Sequence, residues 1–330
     1  MSMIAFKNKI KAQPIYPMIR TVKLKILNYF SKEGEIERRF FQFLTRFDKE
    51  LQAALRAKIA KQMWTDANAY SKNLVKELER KGYAILNFAD LKIESEQTLQ
   101  FLEDIVEKFR KDEFNEGALQ QLDSGDYGGK PISYHLYKKR KGDEAYDPLI
   151  SLILHPELIR IASMYVGYLP AIGFTSLLFT PVHKGIAFGS QLWHKDLHHR
   201  RCLKLFFSPL TLDENQGPFE FFPPHLSTLK YYQHSPQSMT DAQLLEAGLD
   251  PKTAIRFLGG PGKVLMVDTT RCLHRGGKAE SKPRYIATTM YASPQHSFSA
   301  KQFRTTEHYE NPFRVYAQEN QDLLKGYAKP

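Results

Sequence analysis

Apolar residues at helical spacing dominate the first third of the chain. Between residues 34 and 81, large apolar side chains recur every three or four positions, which places them on one face of a helix. They are Ile36, Phe40, Phe43, Phe47, Leu51, Leu55, Ile59 and Met63. The polar run at 66–68 predicts a break between two helices, and Gly82 predicts the end of the second helix. We interpret the stripe as core packing.

Further along, the pattern alternates between helix, strand and loop signals. We predict a strand over 83–88 and a helix over 94–111. A helix over 156–166 has proline in its first turn and Gly167 after its end, both typical of helix boundaries. Residues 112–146 are rich in glycine and basic residues, so we predict loops there.

The second half of the chain carries short apolar runs bounded by turn residues. These predict strands at 171–180, 186–193, 202–212, 218–222, 262–268 and 284–291. Between them lies an insert at 227–257. It contains a short helix over 240–247 that begins at a Thr240-x-x-Gln243 capping box. Periodicity alone therefore predicts a mixed chain with short strands late in the sequence.

Candidate chemistry begins with His194-Lys195-Asp196, at the end of the predicted strand 186–193. Residues two apart on a strand point to the same face, so His194 and Asp196 would lie side by side with Lys195 turned away. An imidazole and a carboxylate form two corners of a three-residue iron site. Taken alone, the tripeptide is weak evidence, because a surface strand with mixed charges accounts for it more often.

A third candidate metal ligand and a positively charged side chain follow later in the sequence. His274 comes after an apolar strand, and Arg284 begins the next predicted strand. We predict a hairpin centred near residue 279, which would place the two side chains opposite each other at a Cβ separation of about 5.5 Å. A guanidinium in that position can hold a carboxylate through two parallel hydrogen bonds.

Together His194, Asp196, His274 and Arg284 resemble the iron(II)- and 2-oxoglutarate-dependent dioxygenases, most closely the phytanoyl-CoA dioxygenase-like family. The resemblance covers much of residues 75–292.

Three runs of sequence carry the resemblance, in addition to the four residues named above. They are His194-Lys195-Asp196-Leu197-His198, Gly217-Pro218-Phe219-Glu220-Phe221-Phe222-Pro223-Pro224-His225 and Lys81-Gly82-Tyr83-Ala84-Ile85-Leu86. The sequence departs from the family at Pro224-His225, where members usually show Gly-Ser-His. That difference affects a turn, not the ligand set.

The resemblance implies a fold, a ligand set and a reaction. The fold is a β-rich α+β chain with a double-stranded β-helix core (jelly roll, cupin-like) and an N-terminal helical layer. His194, Asp196 and His274 would bind iron(II) at the catalytic centre, and Arg284 would pair with the far carboxylate of 2-oxoglutarate. The reaction would hydroxylate an unactivated C–H bond and release succinate and carbon dioxide. Related halogenases have a small residue in the position of Asp196, so the aspartate favours hydroxylation.

The expected domain organisation follows from these elements. We predict a basic arm at 1–33, a dioxygenase domain at 34–292 and an extension at 293–330. Within that domain the predicted parts are a helical part at 34–170, a jelly-roll core at 171–292 and the insert at 227–257.

Other residues near the motifs leave alternatives open. Lys204 is a candidate second cation for 2-oxoglutarate, with a surface position for its ammonium as an equal alternative. His198 would touch substrate if its strand continued. Cys202 and Cys272 leave a zinc site as a minor alternative, although no Cys-x-x-Cys spacing exists. Nucleic-acid repair dioxygenases normally carry a second arginine six residues after the first, and Met290 occupies that position here.

The overall reading is therefore an oxygenase, an oxidoreductase acting on a small molecule or on a carrier-, lipid- or saccharide-linked substrate. A non-catalytic, cupin-like metal-binding scaffold is the main alternative, and a nucleic-acid or protein hydroxylase or demethylase ranks below it.

Charge and composition bear on partners and location. The 330 residues carry a formal net charge of +11, which favours an anionic substrate or surface. Two cysteines without a secretory signal predict the cytoplasm, and no run approaches the ~18 apolar residues of a membrane span. Residues 1–32 are basic, and apolar residues recur at helical spacing within 19–30. They would form either an amphipathic helix on the inner face of an anionic membrane or an ordinary cap helix or loose arm.

Overall fold

The structure, a computed structural model, describes residues 57–111, 124–127, 130–138, 147–182, 185–196, 201–227 and 238–292. The predicted arm at 1–33 and the predicted extension at 293–330 lie outside these ranges. The described helices are a segment at 57–66, α1 (Ala69–Lys81), α2 (Glu96–Lys111), α3 (Pro148–Ile153), α4 (Pro156–Val166) and α5 (Asp241–Glu246). The strands are β1 (Tyr83–Asn87), β2 (Ser124–Tyr127), β3 (Lys130–Lys138), β4 (Ala171–Thr180), β5 (Cys202–Phe207), β6 (Phe219–Phe222), β7 (Ile255–Arg256), β8 (Lys263–Val267), β9 (Leu273–Gly276) and β10 (Arg284–Ala292).

Local capping residues explain where α1 begins and ends. The side chain of Asn68 accepts a hydrogen bond from the backbone N–H of Ser71 at 2.8 Å, which satisfies a donor that has no partner within the helix. Gly82 ends the helix in the left-handed region with φ of 79°. A methyl group there would lie 2.6 Å from Pro224 and 2.8 Å from the Cys272 sulfur. Both predicted boundaries are confirmed, and only glycine suits the second one.

Two antiparallel sheets form the body of the protein. The large sheet has the order β1-β8-β5-β10-β4-β3-β2, and the small sheet has the order β7-β6-β9. Side chains alternate along a strand, so one face of β10 presents Tyr285 and Ala287 to the helices while the other presents Ile286 to the small sheet. The chain is therefore a β-rich α+β protein in which helices, large sheet and small sheet form successive layers.

The space between the two sheets is filled by aromatic and aliphatic side chains. Phe206 of β5 stacks on Phe219 of β6 at a centroid distance of 4.4 Å. Leu265 and Ile286 of the large sheet share this cluster with Phe221 of the small sheet. Contact between the inner faces fixes the small sheet over one end of the large one.

The described part of the insert forms a fourth layer on the outer face of the small sheet. Met239 and Leu244 pack there with Phe222 and Trp193 in a separate buried cluster. The predicted capping box of α5 is confirmed, because Thr240 and Gln243 exchange hydrogen bonds. None of the helices that the structure describes is both long and apolar enough to cross a membrane.

Three predicted elements differ from the structure. Residues 112–146 were expected to be loops, but β2 and β3 form a hairpin that extends the large sheet. A bulge between His135 and Tyr137 interrupts the register of β3 with β4. Residues 132–136 do alternate between apolar and polar, but the glycines and basic residues around them favoured a loop in the prediction. The predicted strand at 186–193 is also wrong, since Gly189 takes φ of 55° and opens a 3-10 turn. β5 ends at Phe207, five residues earlier than the predicted 202–212.

Candidate metal centre

The segment that carries His194 and Asp196 is an extended edge of the small sheet. His194 and His274 exchange two backbone N–H···O hydrogen bonds of 2.9 Å, and Trp193 and Met239 exchange a second pair at 2.9 and 2.8 Å. The backbone N–H of Asp196 donates to the Thr269 carbonyl at 3.0 Å. The histidine–aspartate pair is thus held by isolated bridges to two neighbours, not by a regular strand.

His274 reaches the same place from β9, whose partner in the small sheet is β6. The register sets His274 opposite Phe221, and the ring of Phe219 stacks on the imidazole at a centroid distance of 5.4 Å. Only 3% of His274 is exposed. An apolar wall therefore encloses one side of the candidate site.

The three predicted ligands lie together. Their ligand atoms are all within 4.8 Å of one another, and Nε2 of His274 is 3.8 Å from Oδ2 of Asp196. Among the residues that the structure describes, this is the one group of three or more His, Cys, Asp or Glu side chains close enough to hold a metal ion. Two imidazoles and a carboxylate are the donor set of the facial iron(II) site.

Hydrogen bonds at Nδ1 fix the tautomer of both imidazoles. Nδ1 of His194 lies 2.8 Å from the Leu192 carbonyl, and Nδ1 of His274 lies 3.0 Å from the Cys272 carbonyl. A carbonyl only accepts, so Nδ1 carries the proton and Nε2 keeps its lone pair. Such backbone contacts orient metal-binding imidazoles. In both histidines the bonded carbonyl belongs to the residue two positions earlier.

Burial and local charge set the protonation states. Burial lowers the pKa of His274 to about 3 and also lowers the pKa of His194. For Asp196, burial alone would raise the pKa, but Lys204 and the two histidines outweigh it and hold the carboxyl pKa well below its usual range. At neutral pH the cluster thus offers two neutral imidazoles and one carboxylate, the forms that bind a divalent metal.

Lys204 points into this site instead of outward to solvent. Its Nζ lies 2.5 Å from Oδ2 of Asp196, and 12% of its side chain is exposed. The expected surface alternative is therefore wrong, because the residue lies on the inner face of β5, level with Met290. The role of Lys204 as a second cation for 2-oxoglutarate stays a prediction, since its contact here is with the candidate metal ligand.

Arg284 reaches the site from the large sheet. The predicted hairpin with His274 is wrong, since β9 pairs with β6 whereas β10 pairs with β4 and β5. The intervening residues cross from one sheet to the other. The guanidinium nevertheless lies beside β9. A methyl group added to Gly276 would be 3.2 Å from its Nη2. Gly276 and His274 share a strand face, so Arg284 lies on the face that carries the metal ligand.

The hydrogen bonds of the Arg284 guanidinium leave one edge available. Nη1 donates to the carbonyls of Gly217 and Gly277, and Nη2 donates to Thr180 Oγ1 at 3.1 Å. A guanidinium has five N–H donors. Among the described residues Nε has no acceptor, although the atom is buried, and one Nη2 hydrogen is also left over. Burial lowers the Arg284 pKa only to about 10, so the group stays charged at neutral pH.

The remaining sequence candidates fall elsewhere. His198 lies outside the described residues. His225 is exposed in the turn after β6, as expected. Cys202 approaches Thr269 with its sulfur at 3.4 Å, and burial raises the pKa of its thiol to about 12. Neither Cys202 nor Cys272 belongs to the metal-binding group found in the described part of the chain, which leaves the zinc alternative without support there.

Sequence reasoning missed two residues that shape the arginine pocket. Thr180 pairs with Arg284 across β4 and β10, and this contact could be found only from the strand register. The missing side chain of Gly276 gives the guanidinium its space. The pair Gly276-Gly277 soon after His274 was the available signal in the sequence.

Comparisons with known proteins were made at three levels. No protein-family model matches the sequence, and no curated protein matches it. Solved structures that it resembles include the epimerase SnoN in complex with Fe3+, alpha ketoglutarate and nogalamycin RO, at 14% identity over 68% of this chain and 84% of that one, with a TM-score of 0.45. The carbocyclase SnoK from nogalamycin biosynthesis is 13% identical over 73% and 91%, with a TM-score of 0.46.

EctD from S. alaskensis with 2-oxoglutarate and 5-hydroxyectoine is 16% identical over 70% of this chain and 79% of that one, with a TM-score of 0.46. All three TM-scores lie below one half.

Proposed function

We propose that the protein is an iron(II)- and 2-oxoglutarate-dependent oxygenase. We also propose that the two facing sheets form a double-stranded β-helix of the phytanoyl-CoA dioxygenase-like type. Opposed antiparallel sheets with a shared apolar interior support this architecture, and so does the arrival of the candidate ligands from the small sheet and of Arg284 from the large one.

The candidate ligands fit iron(II). His194 and His274 present Nε2, and Asp196 presents a carboxylate oxygen on the same side. A 2-His-1-carboxylate set leaves coordination positions open for other ligands. When bound there, iron(II) with 2-oxoglutarate would supply the oxidising chemistry of the reaction. Asp196 fills the third protein position, which supports hydroxylation over halogenation.

The buried edge of Arg284 is the observation that carries the co-substrate assignment. Nε and Nη2 lie along one side of the guanidinium, and an N–H from each can pair with the two oxygens of a carboxylate. Among the described acids, the charge of Glu220 raises the pKa of Arg284, but the carboxylate oxygens of Glu220 accept from Arg275 and Arg256 and not from Arg284. A buried charged donor without an acceptor is costly, so this edge calls for an anionic ligand.

The spacing along β9 suits a five-carbon dicarboxylate. Gly276, beside the guanidinium, lies two residues beyond His274, a rise of about 7 Å. A carboxylate held by Arg284 would therefore direct the opposite end of the molecule towards the His194–Asp196–His274 cluster. Thr180, the partner of Arg284 across β4 and β10 of the large sheet, orients the guanidinium, and Phe219 excludes water from the His274 ring.

The substrate that we propose is a small molecule, free or linked to a carrier, lipid or saccharide. The net charge of +11 supports an anionic group on it. We propose a cytoplasmic location, with contact to a membrane only if the basic arm at 1–33 binds anionic lipid.

Turnover of 2-oxoglutarate tests the proposal. With iron(II), oxygen and a library of anionic small molecules, the protein should release succinate in a 2-oxoglutarate-dependent manner, and Asp196→Ala should abolish that release. His225→Ala, which removes an exposed histidine, should retain it. Failure of the wild-type protein to bind 2-oxoglutarate at all would overturn the assignment.

A non-catalytic scaffold is favoured by one contact. The ammonium of Lys204 sits on the Asp196 oxygen that faces His274, where it opposes binding of a cation. If this ion pair defines the working state, the wild-type protein should bind neither iron(II) nor cobalt(II) at neutral pH. Metal binding by the wild-type protein would exclude a metal-free scaffold, and 2-oxoglutarate-dependent succinate release would exclude the cupin-like metal-binding scaffold as well.

A further inference from the structure

The two histidine-bearing segments share only a short backbone connection. His194 and His274 are joined by one reciprocal pair of hydrogen bonds, and no regular strand surrounds His194. The bonds of Trp193 with Met239 and of Asp196 with Thr269 also hold the His194 segment, but they do not connect it to β9. The angle between the two imidazoles therefore depends also on side-chain contacts between the two segments.

The outward-facing neighbours of the histidines provide a second connection. Trp193 and Arg275 are adjacent to His194 and His274 in the sequence, so their side chains point to the opposite face of the small sheet. There the Arg275 guanidinium lies over the Trp193 ring, 4.4 Å from its centroid. Trp193 is fully buried. Each metal-bearing segment thus touches the other on both faces.

Two acidic residues complete this outer contact. Oδ1 of Asp241 accepts from Trp193 Nε1 at 2.7 Å and from Arg275 Nη1 at 2.6 Å. Glu220 on β6 accepts from Arg275 Nε at 2.6 Å, and its carboxylate is buried with 8% of the side chain exposed. We call Trp193, Arg275, Glu220 and Asp241 the outer clamp. It joins both histidine segments to β6 and to α5 of the insert.

We propose that the outer clamp is a positioning device for the metal centre, through which the insert sets the distance and angle between the His194 and His274 imidazoles. The proposal rests on the proposed metal site but not on 2-oxoglutarate chemistry. A cation over an aromatic ring fixes the relative position of the two side chains, and the shared acceptor at Asp241 restricts both of them further. Any rotation of Trp193 about the backbone must also rotate its neighbour His194.

Metal affinity is sensitive to such restraint, because ligands must be held close to the productive geometry. Groups beyond the ligands themselves typically change metal affinity by about 10–100-fold when removed. Asp241 is suitable for the test, since its carboxylate makes both key contacts yet lies outside the metal centre.

The experiment measures cobalt(II) binding to full-length protein, together with the visible absorption spectrum of the bound cobalt, which reports coordination geometry. Asp241→Ala should weaken cobalt(II) binding about tenfold, at the lower end of the range for such partners, and should alter the spectrum. Asp241→Asn keeps the oxygen acceptor and should restore most of the affinity and the wild-type spectrum.

Leu102→Ala is the stability control. Leu102 is buried in α2, in a core cluster that contains none of the four clamp residues, so its truncation should lower the urea midpoint while leaving cobalt affinity and spectrum unchanged. The proposal is overturned if Asp241→Ala lowers only stability, or if Leu102→Ala changes the spectrum as much as Asp241→Ala does. If the wild-type protein does not bind cobalt(II), the metal site itself is refuted. If it binds cobalt(II) but not 2-oxoglutarate, the proposal for the outer clamp still stands.

Discussion

Substitution of Arg284 tests the co-substrate pocket through a side chain that is not a metal ligand. Arg284 is 7% exposed, and alanine at this position removes a guanidinium that donates three hydrogen bonds to Gly217, Gly277 and Thr180. The two donors on its free edge are the ones assigned to 2-oxoglutarate. Lysine keeps the positive charge but cannot form two parallel contacts with a carboxylate.

The expected size of the effect follows from those two donors. A hydrogen bond to a charged group contributes about 1.5–3 kcal/mol, which corresponds to about a tenfold to a hundredfold change in dissociation constant or somewhat more. Arg284→Ala should therefore weaken 2-oxoglutarate binding by at least about tenfold. Arg284→Lys should recover part of the loss. Iron(II) affinity should change little in either variant, because the three ligands remain.

The assay is a titration of 2-oxoglutarate into anaerobic, iron(II)-loaded protein, with iron(II) affinity measured separately. Urea unfolding of each variant is needed as a control, because the alanine also leaves the Gly217 and Gly277 carbonyls without a donor. If folded Arg284→Ala binds 2-oxoglutarate as tightly as the wild type, the arginine is structural and the co-substrate assignment fails.

Three further predictions concern the same interior. Gly276→Ala places a methyl group 3.2 Å from Nη2 of Arg284, so 2-oxoglutarate titration should show binding weakened about tenfold; unchanged binding would contradict the placement of the carboxylate. Lys204→Met removes the ammonium from Asp196 and should tighten cobalt(II) binding about tenfold, the order expected for one charge-assisted contact; weaker metal binding would show that the lysine supports the site. Burial lowers the pKa of His274 to about 3, whereas an unfolded histidine titrates near 6.5, so between those pH values the unfolded chain binds the extra proton. The free energy of unfolding of the metal-free protein should therefore fall as the pH drops from about 6.5 towards 3, and equal urea midpoints at about pH 7 and about pH 5 would contradict the burial of a neutral imidazole.

Local sequence patterns predicted much of the fold. The helix boundaries at Asn68 and Gly82 and the capping box at Thr240 depend on a few adjacent residues, so they can be read from the chain. The hairpin of β2 and β3 was missed because the glycines and basic residues of 112–146 favoured loops, although residues 132–136 alternate between apolar and polar. The strand predicted before Trp193 failed because Gly189 turns the backbone.

The candidate site likewise combines local contacts, which the sequence predicts, with long-range contacts, which it does not. His194 and Asp196 lie together because they are two residues apart, whereas their contact with His274 depends on a bridge between distant segments. Arg284 was identified by resemblance, while the hairpin geometry offered for it was wrong. The outer clamp was not anticipated, because the pairing of Glu220 with Arg275 follows from the register of β6 and β9, and this register is a long-range property.

The spectrum of the anaerobic iron(II) complex tests the central claim most directly. Wild-type protein with iron(II) and 2-oxoglutarate should show the weak visible charge-transfer band of a chelated 2-oxo acid. His194→Ala and His274→Ala should each abolish the band, and His225→Ala should preserve it. A band that survives both ligand substitutions, or a wild-type protein that shows none at saturating iron(II) and 2-oxoglutarate, would contradict the assignment of this site.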